Sequence, residues 1–334
     1  MRAIAPGKII LSGEHAVVYG NSALVMAVNR FSETLIEKRD DNQISIQLDD
    51  FNYTVSYSLN ELRNKSRQLD ANYNLFVNGK QSIRHLVSSP ADVFALLIFN
   101  FLHRFAIELE TGIALTIKSE LPVNCGMGSS ASTIMSLLKG LTGYFSIKTD
   151  SEQLYNLGLK GEKFLHGYSS GVDPYVSLYG GLNRFQQKKA IRLKTQDIPI
   201  YIVNSGVPDA STGESVEFVA EKFGKSHIWT DFQSVTDEFE KAYCARKLDV
   251  MIKYVRENHN LLSQIRVVPT VIRDFISEIE NKGGAAKISG AGSVHGQNAG
   301  IVIIISEDDP KKICEKYGYE LVAVNGEPEG ARIL

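Results

Sequence analysis

Leu121-Pro122-Val123-Asn124-Cys125-Gly126-Met127-Gly128-Ser129-Ser130-Ala131 is the stretch on which the fold turns. It follows a strand-like alternation at 113–118 and precedes a helical run over about 129–140. Gly126 and Gly128 let the backbone of such a loop approach a ligand with several N–H groups outward, and the helix start behind them adds partial positive charge. The hydroxyls of Ser129 and Ser130 can donate to phosphate or ligate a hard cation such as Mg²⁺. A plain turn with a serine helix cap has the same composition, so the loop alone leaves both readings open. Gly126 to Ala131 also fits a loose G-x-G-x-x-A dinucleotide pattern. The context opposes it, because no second strand ending in an acid follows at about 20 residues; Asp150 opens another helix instead. The pattern G-x-x-x-x-G-K-[ST] is absent from the sequence.

Upstream, alternation marks short strands at 22–28, 32–38, 43–48 and 53–57, separated by Asn, Asp and Gly turns. A helix starts near Pro90 and runs to about 105. Downstream, a helix capped by Asp150 or Ser151 covers 151–165, and a brief strand covers 182–185. The basic, weakly apolar stretch 186–194 reads as a crossing between two halves, 1–186 and 187–334. Beyond it, a strand at 198–203, helices over about 212–281 and strands at 285–289, 301–305 and 320–324 are expected. Both halves mix helix and strand too irregularly for a β/α barrel, and the fold class is α+β.

A length of 334 residues fits about two domains, at roughly 150 residues each. Lys and Arg number 36 against 38 Asp and Glu, a net charge of −2 that supplies no basic footprint for nucleic acid or an anionic membrane surface. The three cysteines, Cys125, Cys244 and Cys314, lie far apart with no metal-ligand spacing, which fits a reducing, cytoplasmic setting. The apolar run 93–107 is broken by Asn100, His103 and Arg104, too short to span a bilayer, and Pro6, Gly7 and Lys8 interrupt the first apolar stretch.

Three further groups carry candidate chemistry. Glu162 and Asp173 flank a turn at 167–171 that can fold both carboxylates into one cleft, one for Mg²⁺ with Ser130 and one to accept a hydroxyl proton. A solvated helical Glu and an Asp-Pro helix start are the ordinary alternatives. His166, four residues after Glu162, suits structure better than Mg²⁺, which prefers oxygen. Lys8 and the pair Glu14-His15 sit among apolar residues, so partners are required of them. A second glycine cluster, Gly290 and Gly292 within 287–293, follows the strand at 285–289 and places one such loop in each half, as a cleft between them would need.

Together these segments carry a resemblance: PGKIILSGEHAVVYG at 6–20, NCGMGSSAS at 124–132, HGYSSGVDPYVSLYGG at 166–181, PDASTGESV at 208–216 and KISGAGS at 287–293. The chain resembles the mevalonate kinases of the GHMP small-molecule kinase superfamily, which includes galactokinase, homoserine kinase and phosphomevalonate kinase. The resemblance covers nearly the whole chain and implies a two-domain GHMP kinase fold. Its N-terminal half would be like ribosomal S5 domain 2, with the ATP-phosphate loop and the catalytic base, and its C-terminal half ferredoxin-like. It further implies that Gly126, Met127, Gly128, Ser129, Ser130, Gly290 and Gly292 bind ATP and that Ser130 and Glu162 hold Mg²⁺. Asp173 would be the catalytic base with Lys8 beside it, Glu14 and His15 would recognise the acceptor, and Thr212 would border the site.

The implied activity is ATP- and Mg²⁺-dependent phosphorylation of the primary hydroxyl of mevalonate to 5-phosphomevalonate, in isoprenoid synthesis. The implied partner is a small-molecule substrate, with no nucleic acid or membrane and a homodimer left open. Rival readings are a related kinase for a sugar or phosphomevalonate, and a non-catalytic sensor of the same fold. The sequence departs from the family pattern at Asn124-Cys125, Met127, Pro174 and 294–298, and none of these positions carries a catalytic charge.

Overall fold

In the computed structural model, which describes residues 1–187 and 189–334, the chain opens with β1 (Arg2–Ser12). This strand is buried on both faces, so it lacks the alternation that marks a half-exposed strand and escapes a reading by period. β2 (Ala23–Arg39) runs antiparallel to it as one strand where the pattern suggested two. The register slips between Pro6 and Gly7, and Asn29 and Arg30 bulge out of the ladder, so the alternation breaks while the strand continues.

β3 (Gln43–Leu48) and β4 (Tyr53–Ser58) form a hairpin, and α1 (Leu59–Val77) follows directly from a capping box of Ser58 and Glu61. α2 (Asp92–Arg104) begins two residues beyond the expected proline, because buried Asp92 gathers the N–H and hydroxyl groups of Ser88 and Ser89. β5 (Gly112–Ser119) leads into the glycine loop and α3 (Ser129–Tyr144). α4 (Ser151–His166), capped by Asp150, and α5 (Val172–Tyr179) precede the hairpin of β6 (Leu182–Gln186) and β7 (Lys189–Leu193).

The second sheet comprises β8 (Ile200–Asn204), then after α6 (Thr212–Phe223), α7 (Ile228–Cys244), α8 (Leu248–Gln264) and α9 (Thr270–Asn281), β9 (Ala285–Ile288) and β10 (Ile301–Ile305). α10 (Lys311–Lys316) and β11 (Leu321–Val324) complete it, and β12 (Arg332–Ile333) returns to the first sheet beside β1. The order β11-β8-β10-β9, all antiparallel, is the ferredoxin-like arrangement. Two halves of mixed α and β, each with its own sheet, agree with the expected class.

The expected boundary at 187 needs correction. It falls inside the β6–β7 hairpin, and the change of sheet comes between Leu193 and Ile200. An exposed edge strand is naturally charged and poor in apolar residues, which makes it read like a linker. The returning segment also braces α5, since the Ala331 N–H donates to the carbonyl oxygens of Ser177 and Leu178 at 2.9 and 3.2 Å.

α2, α3 and α4 cover the face of the first sheet that carries Ile36, Ile46 and Leu115. A second core joins the halves: Ile9, Leu11, Leu24 and Met26 pack with Ile303, Phe239 and Tyr243. No helix among the described residues is long and apolar enough to cross a membrane, and the three cysteines are free thiols.

Candidate active site

The glycine loop ends in Gly128, which caps α3 in the left-handed region at φ 71° and contributes no side-chain cap. Glycine suits that backbone, and space demands it too: a Cβ there would stand 3.1 Å from Cγ of Lys8 and 3.7 Å from Oδ2 of Asp173. The first-turn N–H groups of α3 are therefore left for a ligand, with the helix dipole behind them. Met127 turns its side chain into the core and offers backbone only. Ser129 and Ser130 form the first helical positions, as the sequence suggests.

Around this turn the structure assembles residues from four distant segments. Lys8, buried in β1, places Nζ 3.4 Å from Oδ1 of Asp173 at the start of α5. Glu162, late in α4, is buried, and its Oε1 has no hydrogen-bond partner. Burial, reinforced by the charge of Asp173, pushes its carboxyl up to about 7, against the pull of the Ser130 hydroxyl and the Lys8 ammonium. Such a carboxylate is short of a cation. Ser130 Oγ and the half-partnered Glu162 are hard oxygen donors that suit a divalent ion such as Mg²⁺.

His166 is the residue on which sequence reasoning placed no weight. Its Nε2 lies 3.3 Å from Ser130 Oγ and 3.8 Å from Glu162 Oε2, and about half of its side chain is exposed. The i, i+4 spacing from Glu162 was the available signal.

The second glycine cluster meets the first across the two halves. A Cβ on Gly126 would stand 2.9 Å from the carbonyl oxygen of Ser289, and Gly290 lies against Gly126. Glu14 and His15 are drawn into this junction. Glu14 pairs with Lys287 in full burial, and His15 Nε2 lies 3.0 Å from the Ala291 carbonyl oxygen. Burial raises the Glu14 carboxyl and lowers the Lys287 ammonium, each opposed by the charge of the other.

Thr212 stands exposed at the first turn of α6, behind the capping box of Ser211 and Glu214. No hydrogen bond or ion pair among the described residues joins it to Lys8, Ser130, Glu162 or Asp173. The unusual stretch after the second cluster is pinned by Asp209, which accepts the N–H groups of Gln297 and Asn298 at 2.8 and 3.0 Å.

A sequence profile of the GHMP kinases N terminal domain matches residues 93–181, which span α2 through the glycine loop to the end of α5. The mevalonate kinase of Archaeoglobus fulgidus is 30% identical over 297 residues, covering 87% of this chain and 89% of that one. The chain belongs to the GHMP kinase family, on its mevalonate kinase branch. The mevalonate kinase of Methanocaldococcus jannaschii is 28% identical over 326 residues, 96% of each chain. A crystal structure of the Methanococcus jannaschii mevalonate kinase has a TM-score of 0.82 at 26% identity and covers 98% of both chains. The GHMP kinase fold therefore extends over both halves.

Proposed function

We propose that this chain transfers the γ-phosphoryl group of ATP to the primary hydroxyl of mevalonate, giving ADP and 5-phosphomevalonate. The observation that carries the reading is the Lys8–Asp173 pair, set 3.4 Å apart at the glycine turn that opens α3. Support for the acceptor comes from the near full-length similarity to mevalonate kinases.

In this reading, backbone N–H groups of Gly126, Met127, Gly128, Ser129 and Ser130, with those of Gly290 and Gly292, hold the phosphates. Asp173 accepts the proton of the acceptor hydroxyl as the new O–P bond forms, and Lys8 steadies the negative charge on that oxygen. Ser130 and Glu162 would hold Mg²⁺, whose charge offsets that of the β- and γ-phosphates when bound. Since the transition state of phosphoryl transfer is loose, placing the hydroxyl in line matters more than activating it. Thr212 and His15 border the acceptor side. The first half supplies the base and the phosphate loop, the second half the other glycine loop.

The test is ADP release by the purified chain with ATP, Mg²⁺ and each of mevalonate, phosphomevalonate and galactose. Turnover with mevalonate is expected. Turnover with only a sugar or phosphomevalonate moves the chain to another branch, and ADP binding without turnover on any acceptor makes it a sensor.

A further inference from the structure

Lys287 is the one charged residue of β9, and it is completely buried. Its ammonium reaches the Glu14 carboxylate and donates to the carbonyl of Ile10 at 3.2 Å. Two residues on, the Ser289 hydroxyl accepts the N–H of Ile10 at 2.8 Å. Both backbone polar groups of Ile10 are thus held by one short segment of the second half. Residues i and i+2 of a strand share an edge, and two positions earlier the N–H of Lys8 donates to the Met127 carbonyl at 2.8 Å. This edge of β1 therefore has a glycine loop at each end: the first holds Lys8, the second holds Ile10.

We propose that Glu14 and Lys287 are positioning residues for phosphoryl transfer: the buried pair grips Ile10 and through it sets the Lys8 ammonium against Asp173. The proposal rests on Lys8 and Asp173 being the reacting pair. It gives Glu14 a role different from acceptor recognition, because Glu14 is only 1% exposed and spends one carboxylate oxygen on Lys287. Besides Glu14 and Ile10, His259, itself buried, feels the Lys287 charge. Removing either partner leaves the other buried without compensation, which displaces the segment they hold.

The experiment is steady-state kinetics of the full chain as Glu14→Gln, Lys287→Met, the double variant and the milder Ser289→Ala, with ADP affinity measured by titration. For either single variant kcat is expected to fall by the order of 10²-fold, as for a small misplacement of a reacting group, with acceptor KM and ADP affinity held. The double variant should lose no more than the worse single, as partners acting as a unit do. Ser289→Ala should lower kcat in the same direction by less. A raised acceptor KM with intact kcat in Glu14→Gln returns that residue to acceptor recognition and overturns the proposal. Where Lys287→Met fails to fold, Ser289→Ala decides, and an unchanged kcat there overturns it. A wild-type chain that binds ADP and turns over no acceptor overturns the functional reading and the proposal together; an active wild type with unaltered variants overturns the positioning alone.

Discussion

Two lysine–carboxylate pairs flank one short run of β1, and they are built to opposite ends. Lys287 and Glu14 are sealed, and burial works against the charge of both. Such a pair has no access to a substrate and serves as a clamp. Lys8 is nearly as buried, but its partner Asp173 keeps 32% of its side chain exposed. A hydroxyl can reach that carboxylate while the lysine stays fixed. Access, more than charge type, separates the proposed reacting pair from the one proposed to hold it in place.

The largest effect that would sharpen this contrast is at the open pair. Asp173→Asn is expected to lower kcat by about 10³-fold, within the range for loss of a general base, while ADP titration stays unchanged. A loss below tenfold would move the proton acceptor elsewhere.

Glu162→Gln should separate stability from turnover. The folded carboxyl holds its proton up to about pH 7, against an ordinary 4.5. The folded chain therefore carries the extra proton between those values, and this residue's contribution to stability falls as pH rises through the window. Glutamine removes that penalty: in urea unfolding without divalent cation the variant should match wild type near pH 4.5 and exceed it by about 3 kcal/mol above pH 7. Mg²⁺-dependent transfer should be lost at the same time. A difference that stays flat with pH would mean that burial does not govern this carboxyl.

Gly128→Ala is expected to cost about 1–2 kcal/mol for the left-handed backbone, read by denaturant midpoint. It should also lower kcat, because the new methyl meets Lys8. The smallest effect is at the rim. Arg184 joins β6 to Asp237 and Glu240 of α7 at 2.7 and 2.6 Å, in partial contact with solvent. Arg184→Ala should cost about 1 kcal/mol or less and leave turnover unchanged, in contrast to both pairs on β1.

Much of the architecture was legible because glycines, prolines and alternation mark it locally. The strands at 43–48 and 301–305 have the expected bounds, and the glycine loop joins a strand to α3 as read. β1 was hidden by burial on both faces, and β7, read as part of a crossing, by its surface composition, while β6 was read as a strand. At the site, Ser130, Glu162, Asp173 and Lys8 were nameable from motif resemblance, while their approach is a tertiary fact that no spacing encodes. Lys287 sat inside a quoted motif without a role. The signal was a lone charge between Ala286 and Ile288 in an apolar strand, which demands a buried counterion. Glu14 and His15 could not be placed from their neighbours, because their partners belong to the other half.

The strand that returns from the second half beside β1 ties the order of synthesis to the onset of chemistry. The brace that Ala331 provides behind α5 leaves the ribosome only after the whole second sheet has been made. A nascent or prematurely stopped chain can thus display Lys8, Ser130, Glu162 and Asp173 and still lack the wall behind the helix that carries Asp173, so α5 gains its support only on chains that have closed their first sheet.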